Sequence, residues 1–282
     1  MSNKFIDQSY DVIIPNYNRK DELLIAVNSV LKQTVPAKNI YIIDDGSDYE
    51  TKKFYMNAIT KLNRVKIIQL NHSGNVGYLR NIGVEAASSK FIAFIDSDDC
   101  WSENKIEIQF DELNQFIPDD IGMVCTNAYA EESKVRDTNL YIQSVETTHI
   151  FDFRKLVVEN MVINSSTLIP RDFIGNIGSY PKISWLKFSE DYAFALKIAL
   201  CSQVLFVNRP LLIYRKDSPD SLRNLKKPRI SARVRALSYI AVWSVLNISL
   251  VRSKRNIFVL FAYLLGELIV IPVKRIVFGR LK

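Results

Sequence analysis

The apolar run Phe91 to Ile95 ends directly in Asp96-Ser97-Asp98, and a buried strand has no folding reason to stop at clustered carboxylates. Two other short apolar runs end in the same way. Val12-Ile13-Ile14 gives onto Pro15-Asn16-Tyr17-Asn18, and Ile40 to Ile43 gives onto Asp44-Asp45-Gly46-Ser47. Short β-rich runs separated by helix-length stretches restrict the first hundred residues to an α/β layer with a mainly parallel sheet. Ligands in open sheets of this kind bind beyond the carboxyl ends of the strands, so the three polar ends are expected to share one crevice.

Periodicity supplies the elements between these ends. Leu23, Leu24, Val27, Val30 and Leu31 recur at helical spacing, so Lys20 to Gln33 is expected to be an amphipathic helix closed by Pro36. Strands Ile40 to Ile43, Val65 to Leu70 and Phe91 to Ile95 then alternate with helices Glu50 to Leu62 and Gly77 to Ala87. Asn104 to Phe116 reads as a helix and Met123 to Asn127 as a strand. Ala128 to Thr148 is a polar excursion of weak periodicity, suited to covering an acceptor site. Ile163 to Ile169 reads as a strand before Pro170. Ser189 is expected to N-cap a helix through Leu200, with Glu190 and Asp191 in its acidic first turn. An acid there is favourable toward the helix dipole with no catalytic role at all.

Composition bounds what else the chain can be. With 282 residues, 48% hydrophobic and 24% charged, it has enough apolar material for one medium-sized domain with a full core and an appendage. Cys100, Cys125 and Cys201 are odd in number and far apart, which fits reduced structural thiols better than a disulfide framework or a metal clip. Met1 to Gln8 lacks the form of a secretory signal, so a cytoplasmic location is expected.

The net charge of +7 is unevenly spread: from Arg223 onward 13 basic residues stand against Glu267 alone, which leaves the first 222 residues near −5. The chain therefore divides into residues 1–222 and a basic, apolar helical tail, 223–282. The tail holds two apolar stretches, Leu237 to Leu250 and Ile257 to Val273, bracketed by arginines and lysines. Apolar blocks between basic clusters suit an anionic membrane surface. The second stretch, about 17 residues with Glu267 and Pro272 inside it, is at the lower limit for crossing a bilayer. Basic residues on both sides favour helices lying in the inner leaflet, hence a peripheral protein on the inner face of the cell membrane. The alternative is packing on the catalytic domain or in a homo-oligomer interface. Nucleic acid is a poor partner, because the charges interleave with aliphatic blocks and no reader motif is present.

Five segments together resemble the family 2 glycosyltransferases: Val12 to Arg19, Ile42 to Ser47, Asn75 to Asn81, Phe94 to Asp99, and Glu190-Asp191. The resemblance covers roughly residues 9 to 222. It implies the GT-A fold, a nucleotide-sugar donor, most simply a UDP-sugar, and an inverting transfer to a glycan or lipid-linked glycan acceptor. It assigns Asp96 and Asp98 to a metal, Mn²⁺ or Mg²⁺. Carboxylates facing a diphosphate repel it by about 4 kcal/mol per charge pair 4 Å apart at an effective dielectric of about 20, and a hard divalent cation removes that repulsion. The bland alternative is a carboxylate cluster capping a turn.

The same resemblance implies that Pro15, Tyr17, Arg19, Asp44, Asp45, Gly77, Arg80, Asp96, Ser97 and Arg215 meet the nucleotide-sugar. Asp45 is expected to accept a hydrogen bond from the base, although Asp-Gly-Ser is also a good turn sequence. Arg80, on the helix after Gly74-Asn75-Val76-Gly77, is expected at the ribose or phosphates. That loop lacks the Gly-x-Gly-x-x-Gly spacing, which disfavours an oxidoreductase. With only His72 and His149, a histidine metal site is disfavoured. Asp191 matches the family's catalytic base. A carboxylate with an ordinary pKa of about 3.9 is a weak base, so the acceptor hydroxyl is expected to lose its proton late in the displacement. The segment after Tyr214, Arg215-Lys216-Asp217-Ser218 with Ser221, resembles a closing loop but lacks the histidine many relatives carry. Arg215 or Lys216 is its candidate diphosphate contact. The Gln-x-x-Arg-Trp signature of processive synthases is absent, which favours a single addition. The competing class is a noncatalytic membrane-bound scaffold that keeps a nucleotide-sugar-binding fold.

Overall fold

The computed structural model describes residues 7–116, 120–132, 135–144, 146–151, 153–215 and 231–278, leaving aside the side chains of 132–138 and 268–278. Strands β1 (Tyr10–Asn16), β2 (Asn39–Asp44), β3 (Val65–Gln69) and β4 (Phe91–Phe94) run parallel in the order β3-β2-β1-β4. Helices α1 (Asp21–Leu31), α2 (Tyr49–Ala58) and α3 (Val76–Ala86) make the crossovers. β1 is buried at every position, as a strand covered on both faces must be, and its Val12 to Pro15 stretch is apolar without alternation. All seven elements were expected, although α2 stops at Ala58, short of Leu62.

Beyond β4 the sheet becomes mixed. β5 (Cys100–Trp101), β6 (Ile121–Glu132), β9 (Leu168–Pro170) and β10 (Gln203–Arg215) extend the order to β3-β2-β1-β4-β9-β6-β10-β5. β9 is antiparallel to β4 and β6, β10 is parallel to β6, and β5 is antiparallel to β10. β7 (Val135–Leu140) hangs on β6, and β8 (His149–Phe151) on β10. The result is a GT-A-type α/β fold with a mostly parallel central sheet flanked by helices.

Three expectations are corrected. The excursion after Ala128 is not irregular, since β6 continues to Glu132 and returns antiparallel as β7. Ile163 to Ile169 is not one strand. Asn164–Ser166 form a 3₁₀ turn because Ser166 and Thr167 hydroxyls donate back to the carbonyls of Ile163 and Asn164, competing with the ladder. The Ser189 hydroxyl donates to Leu186 O rather than capping the helix, while its backbone N–H donates to Glu190 Oε2.

The remaining helices are α4 (Lys105–Asn114), α5 (Phe153–Val158), α6 (Arg171–Ile177), α7 (Glu190–Cys201), α8 (Ala232–Leu246) and α9 (Lys254–Phe278). α7 is buried from Tyr192 to Leu200 and so shows no amphipathic stripe. α8 packs on it through Ala236, Leu237, Ile240 and Ala241. Buried Arg235 donates from Nη1 to the carbonyls of Trp185 and Lys187 at 2.6 and 2.7 Å. The opposite face of α8 leaves Val242, Val245 and Leu246 exposed, and α9, which packs on α5 and α8, leaves Phe258 and Leu265 exposed. Among the described residues no helix is long and apolar enough to cross a membrane.

Candidate active site

The carboxyl ends of β1, β2 and β4 do meet. At the end of β2, Asp44 faces inward. It is fully buried and accepts from Asn16 Nδ2, Ser47 N, Ser47 Oγ and Tyr55 OH. With its oxygens engaged by these donors and no exposed surface, Asp44 builds the turn that carries Asp45. Pro15 is likewise buried, in β1 opposite Ile43, and shapes the strand end without offering a contact surface.

Asp45 organises the neighbouring loop. Its Oδ1 accepts from Ser73 N and Oγ, both at 2.8 Å, and its Oδ2 accepts from Gly74 N at 2.8 Å. Gly46 permits this approach. Its φ is +73°, and a Cβ there would stand 2.6 Å from His72 N, so any other residue would force the two loops apart. His72, unassigned by its motif, stacks on Tyr17 with centroids 4.3 Å apart and lies 3.1 Å from Asp45 Oδ2. Tyr17 is 43% exposed, so the pair forms an aromatic lip on the crevice.

At the end of β4 each outward carboxylate has an arginine. Arg80 on α3 donates from Nη2 to Asp96 Oδ1 at 2.7 Å, and its Nη1 is 3.9 Å from Glu190 Oε1. Arg19 donates from Nη1 to Asp98 Oδ1 at 2.8 Å and to the buried Ser97 hydroxyl at 3.3 Å. Burial works against the Arg80 charge, but Asp96, Tyr180, Glu190 and Asp191 outweigh it and hold its pKa above the ordinary value. Burial raises the Asp98 carboxyl, with Arg19 opposing and Asp96 reinforcing. Asp99 is raised well above the carboxylate range by burial and then by Asp98 and Asp96. Asp99 Oδ1 accepts from Arg215 N at 3.1 Å, and Arg215 Nε donates to Glu131 Oε1 at 3.1 Å. Arg215 is therefore tied to the β6 end. Lys216, Asp217, Ser218 and Ser221 lie outside the described residues.

The helix-borne acids approach from the other side. Gly77 makes room for Glu190, since a Cβ at Gly77 would stand 3.2 Å from Glu190 Cγ. That close approach gives the glycine a packing role. Glu190 is raised by burial and by Asp191, with Arg80 opposing. Asp191, in the first turn of α7, accepts from Tyr192 N at 2.7 Å and is partly exposed. A cavity of about 120 Å³ holds Asp96 and Asp191 in one wall system, with Tyr141, Asn160, Val162, Ile163, Asn164, Ser165 and Tyr214. Tyr141 lies in the excursion expected to cover an acceptor site. Asn160, Asn164 and Tyr214 carried no signal, because lone polar and aromatic residues outside a motif look the same in any fold.

Asp96 to Asp99 supply hard oxygen donors, and Asp99 Oδ2 is buried without a partner, a donor set that fits Mg²⁺ or Mn²⁺. Among the described residues no three His, Cys, Asp or Glu side chains form a metal cage by themselves.

A mixed, mostly parallel sheet with acids and arginines at its strand ends defines the class, a GT-A glycosyltransferase fold, and the solved structures agree. Staphylococcus aureus TarS residues 1–349 in complex with UDP-GlcNAc superimpose with a TM-score of 0.66 at 21% identity, over 92% of this chain and 71% of that one. The family model for glycosyl transferase family 2 matches residues 11–178, and the chain belongs to that family. Glycosyltransferase GlyG of Streptococcus pneumoniae is 24% identical over 223 residues, 75% of this chain and 72% of its own. The Escherichia coli UDP-Glc:α-D-GlcNAc-diphosphoundecaprenol β-1,3-glucosyltransferase WfgD is 25% identical over 202 residues, 72% of this chain and 74% of its own. A Rickettsia conorii glycosyltransferase is 39% identical over 145 residues, and the match spans 22% of its length.

Proposed function

We propose that the chain transfers one sugar from a nucleotide diphosphate, a UDP-sugar, to a hydroxyl of a glycan or lipid-linked glycan, with inversion at the anomeric carbon. The observation that carries this reading is the shared cavity, in which Asp96 from the strand end and Asp191 from α7 line one space. Asp191 acts as the base and takes the proton of the attacking hydroxyl as its oxygen bonds to the anomeric carbon. Arg80 is held against Asp96 and keeps a cation beside the departing diphosphate. Asp98, with Asp96, would hold Mn²⁺ or Mg²⁺, and the bound ion would supply charge neutralisation for that leaving group. Tyr17 offers the nucleotide base an aromatic face. The donor class is supported by the UDP-GlcNAc complex of TarS and by the UDP-Glc in the name of WfgD.

The acceptor class rests on the tail. Residues 1–222 carry the chemistry, and 223–282 bring it to an anionic membrane surface. The exposed apolar side chains of α8 and α9 support this reading, as does the basic balance after Arg223. The diphosphoundecaprenol acceptor named for WfgD is of the same lipid-linked kind.

The test is calorimetric titration with UDP, GDP and CDP, each with and without Mn²⁺. Selective UDP binding, strengthened at least tenfold by Mn²⁺ in the wild type and not in Asp98→Ala, is the expected result. Absence of nucleotide binding would leave the fold without this function.

A further inference from the structure

The turn Asn164–Ser166 ties the cavity wall to the end of β4. Ser165 Oγ accepts from Asp96 N at 3.0 Å, and Ser165 O accepts from Trp101 Nε1 at 2.7 Å. One residue earlier, Asn164 is fixed at three points. Its backbone carbonyl accepts from Thr167 N at 3.1 Å and from Thr167 Oγ1 at 2.8 Å, and its Oδ1 accepts from Tyr180 OH at 2.6 Å. The Tyr180 hydroxyl thereby sets the orientation of the amide. The other end of that amide, Nδ2, is buried and has no hydrogen-bond partner. Asn164 is 9% exposed and lines the cavity that contains Asp96 and Asp191.

Buried amide donors are almost always paired, and an acceptor oxygen of a ligand in the adjoining cavity would pair this one. The carboxylates of Asp96 and Asp191 ask for the opposite, a donor. A sugar hydroxyl is both donor and acceptor and satisfies the two kinds of group at once. The cavity, about 120 Å³, is smaller than the ~300–1,000 Å³ of whole-ligand pockets, so it suits one saccharide ring rather than a nucleotide. Tyr141 and Tyr214, edge to face with centroids 5.1 Å apart, add an aromatic wall against the apolar face of such a ring. Asn164 rides with Asp96 through Ser165, so the amide belongs with the diphosphate side of the site.

We propose that Asn164 Nδ2 donates a hydrogen bond to a hydroxyl oxygen of the donor's sugar ring, which makes Asn164 a specificity-determining residue. This assignment rests on the nucleotide-sugar reading above. The experiment compares the full chain with Asn164→Ala and Tyr180→Phe by calorimetry against UDP, UDP-glucose and UDP-GlcNAc in the presence of Mn²⁺. The wild type is expected to bind one UDP-sugar more tightly than UDP. Asn164→Ala should weaken that UDP-sugar about tenfold, the loss of one well-made hydrogen bond, and leave UDP within about twofold. Tyr180→Phe, which frees the amide to turn, should show a smaller loss of the same selectivity. Equal weakening of UDP and UDP-sugar would mean a merely structural residue and overturn the proposal. So would unchanged UDP-sugar affinity in Asn164→Ala, or a wild type to which neither sugar adds affinity beyond UDP. A wild type that binds none of the three ligands would instead sink the nucleotide-sugar reading, and this assignment with it.

Discussion

The two halves of the sheet bury charge in opposite ways. In the β1–β4 half the buried charges are carboxylates met by N–H groups and arginines. Asp11 alone accepts from Asn39 N and Nδ2, Ser88 N, and Ser89 N and Oγ, and Asp45, Asp96 and Asp98 follow the same rule. In the other half, Glu190 at the seam aside, the buried charged groups among the described residues are cations without carboxylate partners. Lys197 on α7 donates to Ser179 O and lies over the rings of Phe194 and Trp243, and Arg235 on α8 meets only carbonyls. Acids stapled by backbone amides lock the loops at the carboxyl ends of the strands, where an anionic ligand arrives. Cations sunk among carbonyls and rings lock helices to one another and leave the site alone.

Asp191 stands on the seam between these halves, and its substitution separates them most sharply. Asp191→Asn should lower turnover of the UDP-sugar about 10³-fold, equivalent to about 4 kcal/mol of barrier, while UDP affinity stays within twofold. A comparable loss of UDP binding would show that the two halves are not functionally distinct.

The next largest effect is expected in the first half. Asp11→Ala strands five donors around a buried site and should cost about 3 kcal/mol in urea unfolding. Burial alone would raise the Asp11 carboxyl, but its hydrogen bonds to Ser89, Asn39 and Ser88 outweigh burial and hold it low. Its stabilisation is therefore present above the unfolded pKa, about 3.9, and is lost as pH falls through the lower folded value. Asp11→Asn should flatten the acid limb of the stability curve.

The same division decided what the sequence could reveal. β1 to β4 and their crossovers were legible because each strand is a local apolar run and each helix a local stripe, and the polar ends Asp45, Asp96 and Asp98 stood directly after them. What those ends do was less legible. Asp44 and Asp45 are adjacent, yet one is sealed inside the turn and the other holds a loop 28 residues away, a division that only folding reveals. In the second half β10 runs through Asn208, Arg209 and Pro210 without a clean alternation, because bulges shift its register against β6 there. The open amide of Asn164 depends on Tyr180 and Thr167, and no local pattern encodes that meeting.

The exposed edge of the second half gives a smaller effect. Leu246 is 76% exposed on α8 and Phe258 is 75% exposed on α9. Leu246→Asp should change unfolding stability by no more than about 0.5 kcal/mol. If the belt enters a lipid surface, the same change should weaken flotation with vesicles containing phosphatidylglycerol by roughly 2 kcal/mol, about 30-fold. Unchanged flotation would remove the belt from the membrane reading while leaving the chemistry of the first half untouched.

The buried lysine yields the most directional effect. Burial drives the Lys197 ammonium down to about 7, with Cys201 opposing weakly, whereas an unfolded lysine titrates at about 10.4. Between those values the unfolded chain carries a proton that the folded chain has shed, so stability rises with pH. Lys105, buried beside Gln109 and over Trp101, is lowered for the same reason and adds the same sign. Above about pH 9 the climb levels off, because burial raises the Cys201 and Cys125 thiols to about 11 and about 12 and the unfolded chain then sheds protons that the fold retains. Stability should therefore climb from pH 7 to 9, opposite in origin to the acid limb set by Asp11. Lys197→Met should remove about 2 kcal/mol of that climb and leave the part due to Lys105, measured by urea unfolding at the two pH values. An undiminished climb in Lys197→Met would mean that α7 keeps this lysine charged, and the contrast between the two halves would then rest on geometry alone.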